Sequence, residues 1–287
     1  MKIRTRDFRV EQGAHVRLGK WPTRVAPFYE TDDAYEKMLA HHVSKLEDLQ
    51  QRLYASNRFA LLIVFQGMDT SGKDGAIKHV MAGVNPQGCR VTTFKHPSAT
   101  ELEHDFLWRA VQALPERGSI GIFNRSHYEE VLVVRVHPEL LRAEGLPDAP
   151  GKGNVWKARY RSIVDCERHL SRSGTRVVKF FLHLSKDEQR ERLLARIDDP
   201  DKHWKFNTAD IDERNYWTDY MDAYERCLGA TSTTKAPWFV VPADDKRNAR
   251  LIVSQVIVET LEKLDLQYPR LDAEGEAKLV SARAALA

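Results

Sequence analysis

Five apolar runs punctuate the chain: ALLIVFQ at 60–66, CRVTTFK at 89–95, SIGIFNR at 119–125, TRVVKFFLHL at 175–184 and PWFVVPA at 237–243. Continuous apolarity, without polar alternation, reads as strands covered on both faces, which is the habit of parallel sheets. Between the runs the spacing changes to that of helices. Apolar residues from Asp33 to Leu53 (Met38, Leu39, Val43, Leu46, Leu49, Leu53) share one face. ATELEHDFLWRAVQAL at 99–114 follows a capping box in which Ser98 and Glu101 stand three apart. Leu251, Ile252, Val256, Ile257 and Leu261 give a closing helix over 250–264 a broad buried face.

Strands alternating with helices predict an α/β three-layer sandwich, a five-stranded parallel sheet with helices on both faces. Residues 1–56 form an N-terminal extension and helix packed on a core domain over 57–270, and 271–287 form a tail. Two helical insertions enlarge the plan. One, at 128–170, contains the basic segment NVWKARYRSIVDCERHL; the other, a helical section, covers about 186–228. VLVVRV at 131–136 has strand propensity and is equally compatible with a short buried helix.

Composition narrows the classes. With 42% hydrophobic and 30% charged residues over 287 positions, the chain is that of an ordinary globular protein. A net charge of +3 is too small to declare a polyanion partner, so any basic site must come from local clustering. Cys89, Cys166 and Cys227 are far apart and unpaired in pattern, as buried thiols in a reducing cytosol would be. MKIRTRDFRVEQ lacks the apolar centre of a signal peptide, and no run of about 18 apolar residues occurs. A cytoplasmic protein with neither membrane nor nucleic-acid partner is expected.

GMDTSGKDGA, directly after the first strand, carries the chemistry. It matches the phosphate-binding pattern G-x-x-x-x-G-K-[ST] except that Asp74 stands where a metal-binding hydroxyl belongs. Backbone N–H groups of such a loop form an anion nest at a helix N-terminus, and Lys73 neutralises the phosphate. Gly67, Thr70, Ser71, Gly72, Lys73 and Asp74 are the phosphate-binding set. Asp69 can aim a carboxylate at the same place, and a hard cation such as magnesium, with manganese as the alternative, favours that oxygen. Asp74 then serves as an acidic first-turn residue. Further ligands belong at the carboxyl end of the neighbouring strand, where Asn124, Arg125 and Glu129 follow SIGIF. Asn124 occupies the place of a metal-binding aspartate, and an amide oxygen is the weaker ligand.

These segments, together with FKHPS (94–98), FNRSHYEEVLVVRV (123–136), HWKFN (203–207) and APWFVVPAD (236–244), resemble the polyphosphate kinase 2 family over nearly the whole chain. The resemblance implies a P-loop kinase fold similar to thymidylate kinase, with a helical lid over about 186–228. It implies an enzyme moving phosphoryl groups between polyphosphate and nucleotides (AMP, ADP, ATP, with guanine nucleotides as further candidates). Glu129 matches a glutamate of the class III members, which accept nucleoside mono- and diphosphates. Lys95 matches a phosphate contact, and Arg196, Lys202 and Lys205 match lid cations. Asp69, Lys73, Arg125 and Glu129 become the catalytic set, with Asn124, Arg125 and Glu129 on the nucleotide. A homo-oligomer, dimer or tetramer, is implied too.

The segment 151–176 adds a basic stripe (Lys152, Lys157, Arg159, Arg161, Arg168, Arg172, Arg176), either a solvated face or a polyanion track. Tyr216, Tyr220 and Tyr224 recur every four residues, which favours packing over a nucleobase clamp. Two rivals remain open: an ATP-dependent nucleoside monophosphate kinase, and a non-catalytic polyanion-binding protein.

Overall fold

The computed structural model describes residues 3–145 and 154–287. Along the chain run α1 (Asp32–Ser56), β1 (Ala60–Gln66), α2 (Lys73–Val80), β2 (Cys89–Thr93), α3 (Ala99–Leu102), α4 (Trp108–Val111) and β3 (Ile120–Asn124). Then follow α5 (Val133–Val136), α6 (Pro138–Ala143), α7 (Asn154–Arg172), β4 (Thr175–His183), α8 (Lys186–Ile197), α9 (Ala209–Asp212), α10 (Trp217–Thr231), β5 (Trp238–Pro242), α11 (Lys246–Glu262) and α12 (Ala273–Leu286). All five predicted strands are present and pair in parallel in the order β2-β3-β1-β4-β5.

That order puts β1 at the centre, and its seven residues are all buried. Leu61, Ile63 and Phe65 turn to the layer of α1, α2 and α11, whereas Leu62 and Val64 turn to the layer of α7 and α10. Period-two alternation across a sheet with helices on both sides is why the sequence shows unbroken apolarity. α1 begins where the Thr31 hydroxyl accepts from Ala34 N–H and ends at Asn57, which adopts left-handed backbone. The N-terminal strap wraps the far edge of the sheet: Val10 N–H donates to the Trp238 carbonyl, and Leu18 N–H donates to Glu225.

Two expectations change and one open alternative is decided. The segment 99–114 forms two separate helical turns, because Asp105 accepts from the Leu107 N–H and restarts the chain; the Ser98–Glu101 capping box is present. VLVVRV is helical, continuing a 3-10 turn from His127 to Val131. Within the basic stripe Arg159 is buried, donating to the Glu130 carbonyl and pairing with Glu144, so it is withdrawn from any polyanion track. Gly151 and Lys152 lie outside the described residues.

A buried ammonium joins these layers. Lys179 of β4 is fully buried and donates to Glu167 of α7 at 2.6 Å, to the Tyr128 hydroxyl at 2.9 Å and to the Thr231 carbonyl at 2.8 Å. The Tyr128 hydroxyl donates in turn to the other Glu167 oxygen at 2.7 Å. Burial presses the lysine towards neutrality and Glu167 opposes it; burial likewise raises the Glu167 carboxyl and Lys179 opposes it. All three donors of the ammonium are used, which is the condition for a buried charge to be tolerated. Lys179→Met leaves Glu167 without its cation and should lower unfolding free energy by about 3–5 kcal/mol. A denaturant titration checks this, and Lys179→Met with Glu167→Leu should recover much of the loss.

Candidate active site

β1 ends at the sheet's carboxyl edge and the chain turns through Gly67–Gly72 into α2. Gly67 is needed there because a Cβ would meet the Ser71 hydroxyl at 2.7 Å and the Leu182 carbonyl at 3.0 Å. Thr70 (φ 61°) and Gly72 (φ 99°) both take positive φ, which curls successive N–H groups inward. The hydroxyls of Thr70 and Ser71 are buried and have no partner within the protein. Buried hydroxyls in a loop of this shape suit an oxyanion ligand.

Lys73 opens α2 and is itself buried. Its ammonium donates to the carbonyls of Gly67 (2.7 Å) and Met68 (3.2 Å). Burial, followed by the nearby Arg125, lowers its pKa to about 8, with Asp69, Glu129 and Asp74 pulling the other way. Lys73, Asp69, Asp74, Arg125 and Glu129 therefore share one electrostatic environment.

Two contacts connect this loop to the end of β3. Arg125, with positive φ (61°), donates to Asp69 at 2.6 Å. Asn124 donates its side-chain N–H to Asp74 at 2.6 Å. Non-glycine residues at positive φ carry backbone strain that clusters at functional sites, and Thr70 and Arg125 both face this loop junction. Glu129, on the following 3-10 turn, is half-buried; burial raises its pKa, while Arg125, Lys73 and Gln66 hold it down. Tyr224 of α10 is buried within electrostatic reach of Glu129 and Arg125.

From the other side α8 grips the loop. Gln189 donates to the Asp69 carbonyl at 3.1 Å, and Arg192 donates to the Thr70 carbonyl at 3.0 Å. The same guanidinium reaches the Ala243 carbonyl at 2.6 Å and the Asp244 carbonyl at 3.2 Å. Arg192 thus staples the loop to the end of β5. Arg196 pairs with Asp210 at 2.9 Å and donates to the Lys205 carbonyl. Asp210 feels both Asp69 and Arg125, so this lid pair borders the loop.

Lys95, Lys202 and Lys205 are exposed, and none bonds to a loop residue among the described residues. Lys202 pairs with Asp199, and Lys205 sits 4.8 Å over the Trp204 ring. Two cations beside the loop escaped the sequence reading. Lys246 opens α11 close to Arg192, Arg250 and Lys202, and burial plus those charges lower its pKa. Arg250 lies 3.8 Å from where a side chain at Gly75 would be. Their signal was the DDKRNAR run after the fifth strand, which places basic residues at the start of a helix beside the site. Tyr220 and Tyr224 are buried as their spacing predicts, whereas Tyr216 is exposed. A concavity of about 690 Å³ lies away from the loop, between the N-terminal strap, α7 and α10; a loop that binds phosphate through backbone needs no deep pocket.

A phosphate loop at the carboxyl edge of a parallel sheet, with strand-end side chains opposite and a helical segment above, defines a P-loop phosphotransferase of the kinase type. The family model "Polyphosphate kinase 2" matches residues 29–269, and the chain belongs to that family. It is 61% identical over 284 residues to the ADP-polyphosphate phosphotransferase of Rhodopseudomonas palustris, covering 99% of this chain and 98% of that protein. It is 43% identical over 272 residues to the AMP/ADP-polyphosphate phosphotransferase of Meiothermus ruber, covering 94% and 98%. The crystal structure of polyphosphate kinase 2 from Arthrobacter aurescens superposes with a TM-score of 0.86 at 40% identity, covering 96% of this chain and 95% of that one. No helix among the described residues is long and apolar enough to cross a membrane.

Since Arg192 fixes the loop without touching the reacting groups, Arg192→Ala should lower kcat/KM by about 10²-fold through misplacement alone. Steady-state kinetics beside a thermal melt check this, the deficit persisting at temperatures where the variant remains folded.

Proposed function

We infer that this chain transfers the terminal phosphoryl group of inorganic polyphosphate to nucleoside mono- or diphosphates, and the reverse. One observation carries the reading within the structure: Lys73, Asp69, Arg125 and Glu129 converge on a phosphate loop that has buried, unpartnered hydroxyls. Phosphoanhydride is broken and phosphoanhydride formed, so the equilibrium is nearly balanced and direction follows concentrations.

The acceptor is a phosphate oxygen whose second pKa is near ~6, so it is already ionised and needs no strong base. Catalysis therefore rests on positioning and charge. Lys73 exchanges its carbonyl partners for phosphate oxygens, and Arg125 leaves Asp69 to meet the charge that builds on the transferring group. Glu129 orients the nucleotide, with Asn124 and Arg125 beside it. Arg196, Lys202 and Lys205 extend the cationic surface over a polyphosphate chain, and Lys95 approaches it from the end of β2. The half-burial of Glu129, which raises its pKa, supports a site for a compact phosphate acceptor rather than open solvent.

Magnesium suits the residues present. It takes one or two carboxylates, with water and substrate phosphates supplying the rest, and Asp69 and Asp74 offer carboxylates on the loop. Among the described residues no three His, Cys, Asp or Glu gather into a protein-only cage, which fits a cation brought in with phosphate. When bound it neutralises oxygens on the transferring chain. A cytoplasmic homo-oligomer using AMP, ADP or guanine nucleotides completes the proposal.

Incubation of pure protein with ADP, magnesium and polyphosphate, with no ATP added, should yield ATP; the absence of product would sink the reading. Lys73→Ala should lower that turnover by at least ~10²-fold, while an unchanged rate would favour the plain polyanion-binding alternative.

Lys73 supplies a pH dependence with a defined sign. The free enzyme's ammonium is charged below its pKa of about 8 and loses its proton above it; bound phosphate favours the charged form. Polyphosphate KM should be flat below that pH and rise above it, by up to about tenfold per unit. Calorimetry in buffers of different ionisation enthalpy should register proton uptake on binding near the same pH.

A further inference from the structure

In P-loop nucleotide hydrolases the cation lies between a hydroxyl that follows the loop lysine and an aspartate at a strand end. Both positions are altered here: the residue after Lys73 is Asp74, and the strand-end residue is Asn124. The structure shows that the two altered residues touch, Asn124 Nδ2 donating to Asp74 Oδ1 at 2.6 Å.

We propose that carboxylate and neutral partner have changed places, so that Asp74 is a cation ligand of this site and Asn124 is the positioning residue that aims it. The assignment rests on the phosphotransfer reading above and deepens it. Asp69, the other loop carboxylate, spends Oδ1 on Arg125 at 2.6 Å. Asp74 is exposed at the first turn of α2, and among the described residues its single side-chain partner is the neutral Asn124 amide, which leaves Oδ2 available. The amide of Asn124 is itself buried and can serve only in the orientation that this contact fixes. Total charge is conserved in the exchange, since a hydroxyl plus a carboxylate becomes a carboxylate plus an amide. An aspartate at 124 beside Asp74 would instead put two carboxylates at hydrogen-bonding distance, a pair that only a proton or a cation can hold. The sequence expectation that Asp69 is the loop's metal ligand and Asp74 a helix-dipole residue is thereby widened to both carboxylates, with Asp74 the better placed.

The test is direct Mn²⁺ binding, followed by loss of the free-ion electron paramagnetic resonance signal, with protein alone and with ADP added, against an ADP-only control. Asp74→Ser should weaken binding by at least roughly tenfold, as removal of a metal contact does, and Asn124→Ala should do so to a smaller degree. Asn124→Asp combined with Asp74→Ser rebuilds the alternative arrangement and should return affinity to within about threefold of the native protein. Asn124→Asp alone should lower the melting temperature without cation and regain it when Mn²⁺ is added. Native affinity in Asp74→Ser, or a double variant no better than Asp74→Ser, overturns the proposal. Binding is read without turnover, so a protein that binds Mn²⁺ as described and yet makes no ATP from polyphosphate would defeat the function and leave the site standing.

Discussion

The ammonium of Lys73 is taken out of water inside the turn that joins β1 to α2, and the architecture of the site follows from what that requires. Two carbonyls of the loop accept its protons, so Gly67 and Met68 turn their oxygens towards the ammonium. Such a turn needs Gly67 to pass close to Leu182 and Thr70 to take a strained backbone. The strain is held by contacts from outside the loop, through Gln189 and Arg192 on one side and Arg125 on the other. The loop is thus a conformation maintained by α8 and by the residue that follows β3, with Arg192 tying it to the end of β5, rather than a property of its own ten residues.

A second buried lysine extends the same rigidity to the opposite wall. Tyr128 lies one residue before Glu129, and its hydroxyl is locked between Lys179 and Glu167. The turn that presents Glu129 is therefore anchored to β4 and α7 at once. A charged hub is costly relative to an apolar one unless every partner is present, but it fixes direction, because hydrogen bonds at 2.6–2.9 Å tolerate little rotation. Positioning is what catalysis by charge demands of a scaffold.

Sequence revealed β1, β3, β4 and β5 because burial of parallel strands writes itself as apolar runs, whereas the edge strand β2 is largely exposed; it revealed the loop because glycine, lysine and strand context coincide over ten residues. Contacts made across the fold were not legible. Arg192 and Arg196 look equivalent on one helix, yet Arg192 is spent on three backbone carbonyls and Arg196 on Asp210. Arg159 sits in a basic stripe and is buried against Glu130. Lys246 and Arg250 belong to a helix whose apolar face attracted the eye, and only the return of the chain beside α2 brings them to the loop. Spacing reports which residues share a face; it does not report what that face meets. Asn124 and Asp74 are the sharpest instance, two departures from pattern fifty positions apart that become one contact.

Four cations of the site are already partnered without a ligand: Lys73 by carbonyls, Arg125 by Asp69, Arg196 by Asp210, Lys202 by Asp199. In the proposed reading, binding of a polyanion is for these cations an exchange of partners, while the Thr70 and Ser71 hydroxyls gain one they lack. Each exchange returns part of its Coulomb gain in the ion pair broken, which moderates affinity for either substrate. A reversible transfer between two phosphoanhydrides needs that moderation, because a site that gripped polyphosphate or nucleotide too firmly would stall in one direction. The released carboxylates add a second effect. In the proposed mechanism Arg125 leaves Asp69 for phosphate as a cation arrives with the substrate, so the Asp69 carboxylate, negative throughout, exchanges one cation for another, and anion and cation are favoured together.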